Sequence, residues 1–441
     1  MTRDDGERAH DPGRPETPDF SAIVDAGRSH RTATAKTRAR RALGISFTVL
    51  IVWLIFVTAR GHWGRVGEQW ASALTMVFGS FVAGSTPQGG GAVAFPVFTK
   101  VLDIDTPVAR SFSLCIQTVG MVAAALSIIV NKRTVEWRAI GIAVPAAFVG
   151  FLVSALLLGR GDVPFWPVRL PGPYVKVTFT LLVAAMAVIV YLGYRVQLLE
   201  RIERLSISGP RVVGAIALAG LFGGVASSLT GSGADVIGYL AIVVIIGITP
   251  RVGVPTSVII MASISVLGFV LYGLIDGQLD ITITDGLVTA IGGESVTVAA
   301  DGTAVFGAGP GLDAGRYDLF GLWLAAAPVV AFGAPLGSWV SSLATDRQLV
   351  RFVIALALLE TISTVVFLEG LIIDPDPALI VYSIVGAIVV ISGLWACKEY
   401  RRQLLGLPPV DLSQPFTRSR LDAGPEFREQ LDQGRRPEEK T

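Results

Sequence analysis

Two glycine-rich segments interrupt otherwise apolar stretches of this chain, and they hold the residue types best suited to touch a small ion. The first reads Ser85-Thr86-Pro87-Gln88-Gly89-Gly90-Gly91 and the second Ser227-Ser228-Leu229-Thr230-Gly231-Ser232-Gly233. A helix begun at such a break presents free backbone N–H groups and a partial positive end, and glycine lets a ligand approach that backbone. An anion entering a low-dielectric site needs donors of this kind. Gln88, Gly89, Gly90 and Gly91 therefore form one half of a candidate binding site, and Thr230, Gly231, Ser232 and Gly233 the other. The hydroxyls of Ser113 and Ser257 stand in the helices that follow, and Gln117 lies one turn beyond Ser113 on the same helical face. The structural alternatives are close helix packing for the glycines and bonding of each serine to its own helix carbonyl.

Two carboxyls fall where carboxyls are expensive: Asp235, just past the second break, and Glu360, inside Ala355-Leu356-Ala357-Leu358-Leu359-Glu360-Thr361-Ile362. Membrane-embedded acids are functional candidates, and burial disfavours the ionised form, so both are candidates for carrying a proton. The alternatives are capping of a half-helix by Asp235 and a helix–helix hydrogen bond by Glu360. Lys100 and Arg110 bracket the turn Asp103-Ile104-Asp105-Thr106-Pro107 and are expected near the membrane surface, as snorkelling anchors that also draw anions inward. Arg251 holds the same place on the opposite face. Catalysis finds no support. His10, His30 and His62 all lie outside the apolar segments, so no Ser–His pair forms in the bilayer, and no Cys/His/Asp spacing suits a metal. Cys115 and Cys397 sit in apolar runs and offer no disulfide framework. Neither an enzyme nor a cofactor is expected.

The elements that must position these residues are membrane helices. Of 441 residues 52% are hydrophobic and only 16% charged, against about 25% in soluble domains, and mean hydropathy is +0.62. The charges crowd the ends: of 36 basic and 35 acidic side chains, 16 fall in residues 1–41 and 17 in residues 398–441. A net charge of +1 gives no case for nucleic acid. Residues 1–41 read as a disordered cytoplasmic tail without the features of a signal peptide. Stretches long enough to cross roughly 30 Å of hydrocarbon recur near 42–59, 107–130, 138–159, 173–194, 250–275, 318–343, 350–369 and 378–396. Regions 70–102 and 212–247 contain the two breaks and read as broken or re-entrant pairs. Lys and Arg cluster before the first span, near 131–138, near 195–211 and after the last span, which places those loops and both termini in the cytoplasm. The loop 276–317 carries six acids against the single Arg316 and belongs outside. Alternation over 279–286 and a turn signal after 296–300 predict a small β-hairpin there, either a solvated decoration or a lid.

The breaks are copies of each other. Gly89-x-Gly91 is followed by Pro107 sixteen positions on and Ser113 six further; Gly231-x-Gly233 is followed by Pro250 seventeen positions on and Ser257 seven further. Pro145-x-x-Phe148-x-Gly150 returns as Pro328-x-x-Ala331-x-Gly333. By the orientation above, one unit starts outside and the other inside. The expected fold is an all-α polytopic membrane protein of two inverted-topology repeats with broken or re-entrant helices, plus a small β-like extracytoplasmic loop. The expected divisions are a tail 1–41, an extra helix 42–65, a first repeat 66–195, a second repeat 211–396 with the 276–317 insertion, and a tail 397–441. The duplicated order of glycine-rich break, Pro107-x-Ala109 turn with Ser113 behind it, and Pro/Gly-rich helix resembles the TauE/SafE sulfite exporter family, also called TSUP permeases, over roughly 66–396. The chain departs from that family's pattern in the sequence of its second break, its extra N-terminal helix and its enlarged outer loop.

The resemblance implies a secondary transporter of small anions such as sulfite, thiosulfate, sulfoacetate or related organosulfonates, coupled to protons, working by alternating access in the plasma (inner) membrane. An anion channel and a carrier of small carboxylates are the alternatives. The partners expected are the small anionic substrate, the lipid bilayer and a coupled proton. Import versus export and oligomeric state, a homo-oligomer included, stay open.

Overall fold

The computed structural model describes residues 44–157, 164–165, 171–199, 207–300, 303–368, 371 and 375–404. The expected tail 1–41 and nearly all of 397–441 fall outside these residues.

Helix starts and stops follow local chemistry. After α1 (Gly44–Arg60) and the short α2 (Trp63–Glu68), α3 (Trp70–Ser85) ends at the first break and α4 (Gly91–Lys100) resumes beyond it. Pro107 in the first turn of α5 (Thr106–Val130) has no N–H to leave unsatisfied. The helices α6 (Trp137–Leu157) and α7 (Gly172–Leu199) complete the first unit, and α8 (Pro210–Thr230) starts the second with Pro210 in its first turn. Gly231 stops α8 at φ +79°, a left-handed conformation in which its N–H bonds back to the Ser227 carbonyl. Beyond Gly233, α9 (Ala234–Leu240) loosens into a π turn over Ala241–Ile245, and α10 (Pro250–Gly268) does the same over Phe269–Ile275. The short α11 (Ala314–Tyr317) precedes α12 (Leu319–Leu343), whose N-cap Asp318 accepts from the Gly321 N–H. A capping box of Thr345 and Gln348 starts α13 (Asp346–Phe367). The last helix, α14 (Pro377–Leu404), runs past its expected end near 396: Arg401 and Arg402 suit a helix C-terminus, and Arg401 also donates to the Val244 carbonyl at 2.9 Å.

Eight of these helices are long and apolar enough to cross a membrane. The two breaks are not alike. Whereas α3 has 16 residues, α8 has 21 and is long enough to span by itself, so the short partner at the second break is α9 alone. Large apolar side chains cover the outward faces, with Leu157 80%, Ile391 66% and Ile55 63% exposed. Surface of that kind is stable only against lipid.

The duplication is visible in the packing. The first helix of each unit lies on the fourth helix of the other, α3 on α12 and α8 on α6, while the third helices, α5 and α10, pack together, as do the fifth, α7 and α13. Close approach requires glycine at these crossings. A Cβ on Gly224 would overlap the Ala147 carbonyl of α6, and one on Gly337 the Phe81 carbonyl of α3. Two apolar clusters result. One gathers the lower part of α5 with α6, α8, α9 and α10; the other gathers the Pro107 end of α5 with α4, the start of α7, α12 and the cap described next. The seam between the clusters falls near Ser113 and Gln117.

The insertion after α10 is a five-stranded antiparallel sheet rather than a hairpin: β1 (Ile281–Thr284), β2 (Leu287–Ile291), β3 (Glu294–Val298) and β4 (Ala304–Phe306) in order, with β5 (Leu312–Asp313) pairing Leu287 and Val288 at the start of β2. Ile281, Val288, Ile291 and Leu312 join the same buried cluster as Phe112 and Ile116 of α5, so the sheet is seated on the helices. The N-terminal addition is likewise docked: Trp53 donates to the Leu324 carbonyl at 2.8 Å, and Arg65 forms a two-pronged ion pair with Asp318.

Gly224→Ala and Gly337→Ala should each lower the melting temperature of the detergent-purified protein, by more than the roughly 1–3 kcal/mol of ordinary overpacking because backbone blocks the new methyl. Gly141→Ala, with nothing within 4 Å, should leave it unchanged.

Candidate functional site

The two breaks meet, and α5 ties them together. Gln117 Nε2 donates to the Gly231 carbonyl at 3.0 Å and to Ser113 Oγ at 2.9 Å, and Ser113 Oγ donates to the same carbonyl at 3.1 Å. One backbone oxygen of the second break is thus gripped by two side chains of the first repeat. Across from it, Gly89 at φ +66° faces the second break bare: a Cβ there would stand 2.8 Å from Asp235 Oδ2, 3.4 Å from Ser232 Oγ and 3.7 Å from Gln117 Oε1. Gly91 lies beside them, its Cβ position 3.2 Å from Ser113 Oγ and 3.5 Å from Ser232 Cβ.

Asp235 is fully buried and its two oxygens differ. Oδ1 accepts from the Val236 N–H at 2.9 Å, the Gly233 N–H at 3.1 Å and the Ser232 hydroxyl at 3.3 Å, which is the capping role. Oδ2 has no partner. Gln117 Oε1 also lacks one, as do both amide atoms of Gln88, a residue only 1% exposed. Orphaned polar atoms are rare in protein interiors, and two of these, Asp235 Oδ2 and Gln117 Oε1, face the same bare glycine, Gly89.

The remaining sequence-derived candidates separate. Thr230 shapes the turn, donating to Ala226 and Ser232 carbonyls. Gly90 packs on Ala83 and Gly79 of α3, and Gly233, at φ +144°, on Ala226 of α8, so both serve helix contact. Ser257 donates to the Val254 carbonyl of its own helix at 2.9 Å and makes no bond to either break, unlike its counterpart Ser113. Glu360 lies elsewhere, between α4, α7 and α13.

There the sequence expectation needs correcting. Lys100 is no surface anchor: its side chain is 3% exposed and its Nζ donates to Glu360 Oε1 at 3.2 Å, Ser363 Oγ at 2.9 Å and Thr364 Oγ1 at 2.8 Å. Glu360 Oε1 also accepts from Thr180 at 3.0 Å. The carboxylate is an ion-pair partner that fastens the end of α4 to α13 and α7, with its acceptors filled. Arg110 is not an exposed, snorkelling side chain either. It is 2% exposed, in the second turn of α5. The signal that would have placed it is its spacing: Arg110, Ser113 and Gln117 follow at i, i+3 and i+7 and share one face.

Outside the spans, burial pushes the Asp105 carboxyl above its ordinary range, opposed by Arg316 and Lys176, and pushes the Tyr317 phenol up to about 12. Among the described residues, no group of three or more His, Cys, Asp or Glu is placed to hold a metal.

Eight membrane-length helices in two cross-packed units, with two helix breaks meeting at a buried polar centre, define a polytopic helical membrane protein of the transporter type. A model of the sulfite exporter TauE/SafE family matches residues 72–293, from α3 into the β sheet and just over half of the chain, and the chain belongs to this family. No curated protein and no solved structure matches it.

Removing one member of the buried ion pair strands the other. Lys100→Met alone should destabilise the purified protein by about 3–5 kcal/mol in thermal unfolding. The double variant Lys100→Met/Glu360→Leu should recover most of that loss.

Proposed function

We propose that the protein is a secondary transporter that moves a small sulfur-containing oxyanion, of the sulfite, thiosulfate or organosulfonate class, across the plasma membrane by alternating access between its two repeats. The observation that carries this reading is the pair of unpartnered buried atoms, Asp235 Oδ2 and Gln117 Oε1, that face the bare Gly89 where the two breaks meet, with the unpartnered amide of Gln88 on the adjoining residue. Gln88 Nε2 supplies a donor for an oxyanion, and the bare backbone at Gly89 and Gly91 the room for it to approach. Ser113 and Gln117 hold the second break in register through the Gly231 carbonyl.

The cargo charge sets the role of Asp235. A carboxylate beside an anion is repulsive in a low-dielectric site, and a proton on Oδ2 removes that repulsion and turns the oxygen into a donor. Binding of the anion and of a proton then favour each other, which is the requirement for coupled movement. Glu360 anchors α4 in this scheme, and its proton is not used. The excess of Lys and Arg in the loops near 131–138 and 195–211 and beside both end spans supports an orientation with both termini in the cytoplasm and the β sheet outside.

The test is uptake of labelled sulfite, thiosulfate, sulfoacetate and sulfate into proteoliposomes, with and without an imposed pH gradient. The expected result is saturable uptake of at least one anion, driven by the gradient. Gln88→Ala should reduce it about tenfold or more, as loss of a hydrogen bond to a charged ligand does. Asp235→Asn should carry the anion without responding to the gradient. Uptake that never saturates would mean a channel, and no uptake of any of the four by folded protein would end the substrate assignment.

A further inference from the structure

Arg110 is a buried cation that the site above does not use. Its Nη2 donates to the Phe165 carbonyl and its Nε has no partner. No carboxylate among the described residues lies within ion-pair distance of it. Asp276, the acid at the root of the β sheet, is held by Gln278 Nε2 at 2.8 Å, and Gln278 in turn accepts from Ser111 of α5 at 2.7 Å. A guanidinium carries five donors and a full charge; among the described residues its hydrogen bond goes to one neutral carbonyl, with Asp105 and Asp276 acting on it only from beyond ion-pair distance, and burying it in that state is costly. Arginine in such a place is retained for a partner that arrives.

The place itself is informative. Arg110 stands on the cap side of the breaks, and a Cβ on Gly231 would lie 2.5 Å from the Arg110 carbonyl oxygen, so its turn of α5 abuts the second break. Phe165, whose carbonyl now occupies the guanidinium, is a bulky residue held at φ +59° and buried against Tyr317. Such a residue pays conformational strain in that region of backbone space, and strain of this kind gathers where groups must change partner.

We propose that Arg110 is a second anion subsite, on the cap side of the break site, which takes a small planar-faced oxyanion through its two-pronged donor fork in exchange for the Phe165 carbonyl. The ligand class is one with at least two oxygens spaced to meet both prongs, such as a sulfite, sulfonate or carboxylate group; chloride lacks that geometry. The subsite rests on the transport reading only in taking the cargo to be an oxyanion. Along α5 the subsite lies one turn from Ser113 and two from Gln117, the residues that hold the second break.

The experiment is a thermal-shift titration of detergent-purified protein with sodium sulfite, sodium sulfate and sodium chloride at constant ionic strength, on wild type, Arg110→Gln, Arg110→Lys, Gln88→Ala and the double variant Gln88→Ala/Arg110→Gln. Expected is a saturable shift with the oxyanions and not with chloride. It should persist in Gln88→Ala, move about tenfold higher in concentration in Arg110→Lys, which keeps the charge and loses the fork, and vanish in the double variant. A titration unchanged by Arg110→Gln, a shift abolished by Gln88→Ala alone, or no shift in wild type would each overturn the subsite. If Arg110→Gln does not fold, Arg110→Lys and Gln88→Ala decide alone. Wild type and Arg110→Lys in the uptake assay separate the two ideas: oxyanion binding at Arg110 without uptake keeps the subsite and removes the transporter, whereas uptake equal in the two proteins does the reverse.

Discussion

A helix broken inside a bilayer leaves backbone donors and acceptors with no water to turn to, and everything at the centre of this protein depends on how the Gly231 carbonyl is satisfied. That oxygen belongs to the second repeat, and the groups that hold it, Ser113 Oγ and Gln117 Nε2, belong to the first. Non-helical backbone at membrane depth is tolerated only where protein or a ligand meets its polar groups. Here the protein meets some of them and leaves others open. Each repeat is incomplete without its partner, and the join between them is also the place where Gln88 and Asp235 keep atoms unpaired.

The same economy governs the charges. Two cations lie deep in the structure, and they are treated differently. Lys100 is surrounded by Glu360, Ser363 and Thr364, a closed set that fixes the end of a ten-residue half-helix against two long ones. Among the described residues Arg110 hydrogen-bonds one carbonyl, that of Phe165, and has no carboxylate within ion-pair distance. A satisfied buried pair holds an element in position, while an under-satisfied one keeps the capacity to bind. The distinction rests on hydrogen-bond partners, since both side chains are equally removed from solvent.

The β sheet alters the outer end of this arrangement. It is rooted by the Gln278–Ser111 bond and shares a buried cluster with Phe112 and Ile116, so it forms the floor of the helical core as much as an ornament on it. Its root residues, Asp276 and Gln278, lie beside the turn of α5 that carries Arg110. The insertion and the cation therefore belong to one region of the molecule, although some 170 positions separate them in the chain.

The sequence by itself determined the elements, the breaks between them and the duplication. Those properties are written in local terms: apolar runs of membrane length, prolines at first turns, glycines where the backbone must turn left-handed, and a spacing that recurs to within one residue. It also grouped Gln88 to Gly91, Ser113, Gln117, Thr230 to Gly233 and Ser257 as one candidate site through the repeat, with Asp235 and Glu360 set apart as proton candidates. Only the tertiary structure decided which members of each motif face the centre. Gly90 and Gly233 turn toward their own preceding helices, and Ser257 closes on its own helix while Ser113 reaches across. Burial was also decided there. A charge flanking an apolar run reads the same whether it ends at the surface or inside. What sets Lys100 and Arg110 inside is a partner, Glu360 or Phe165, brought from 260 or 55 positions away by helix packing.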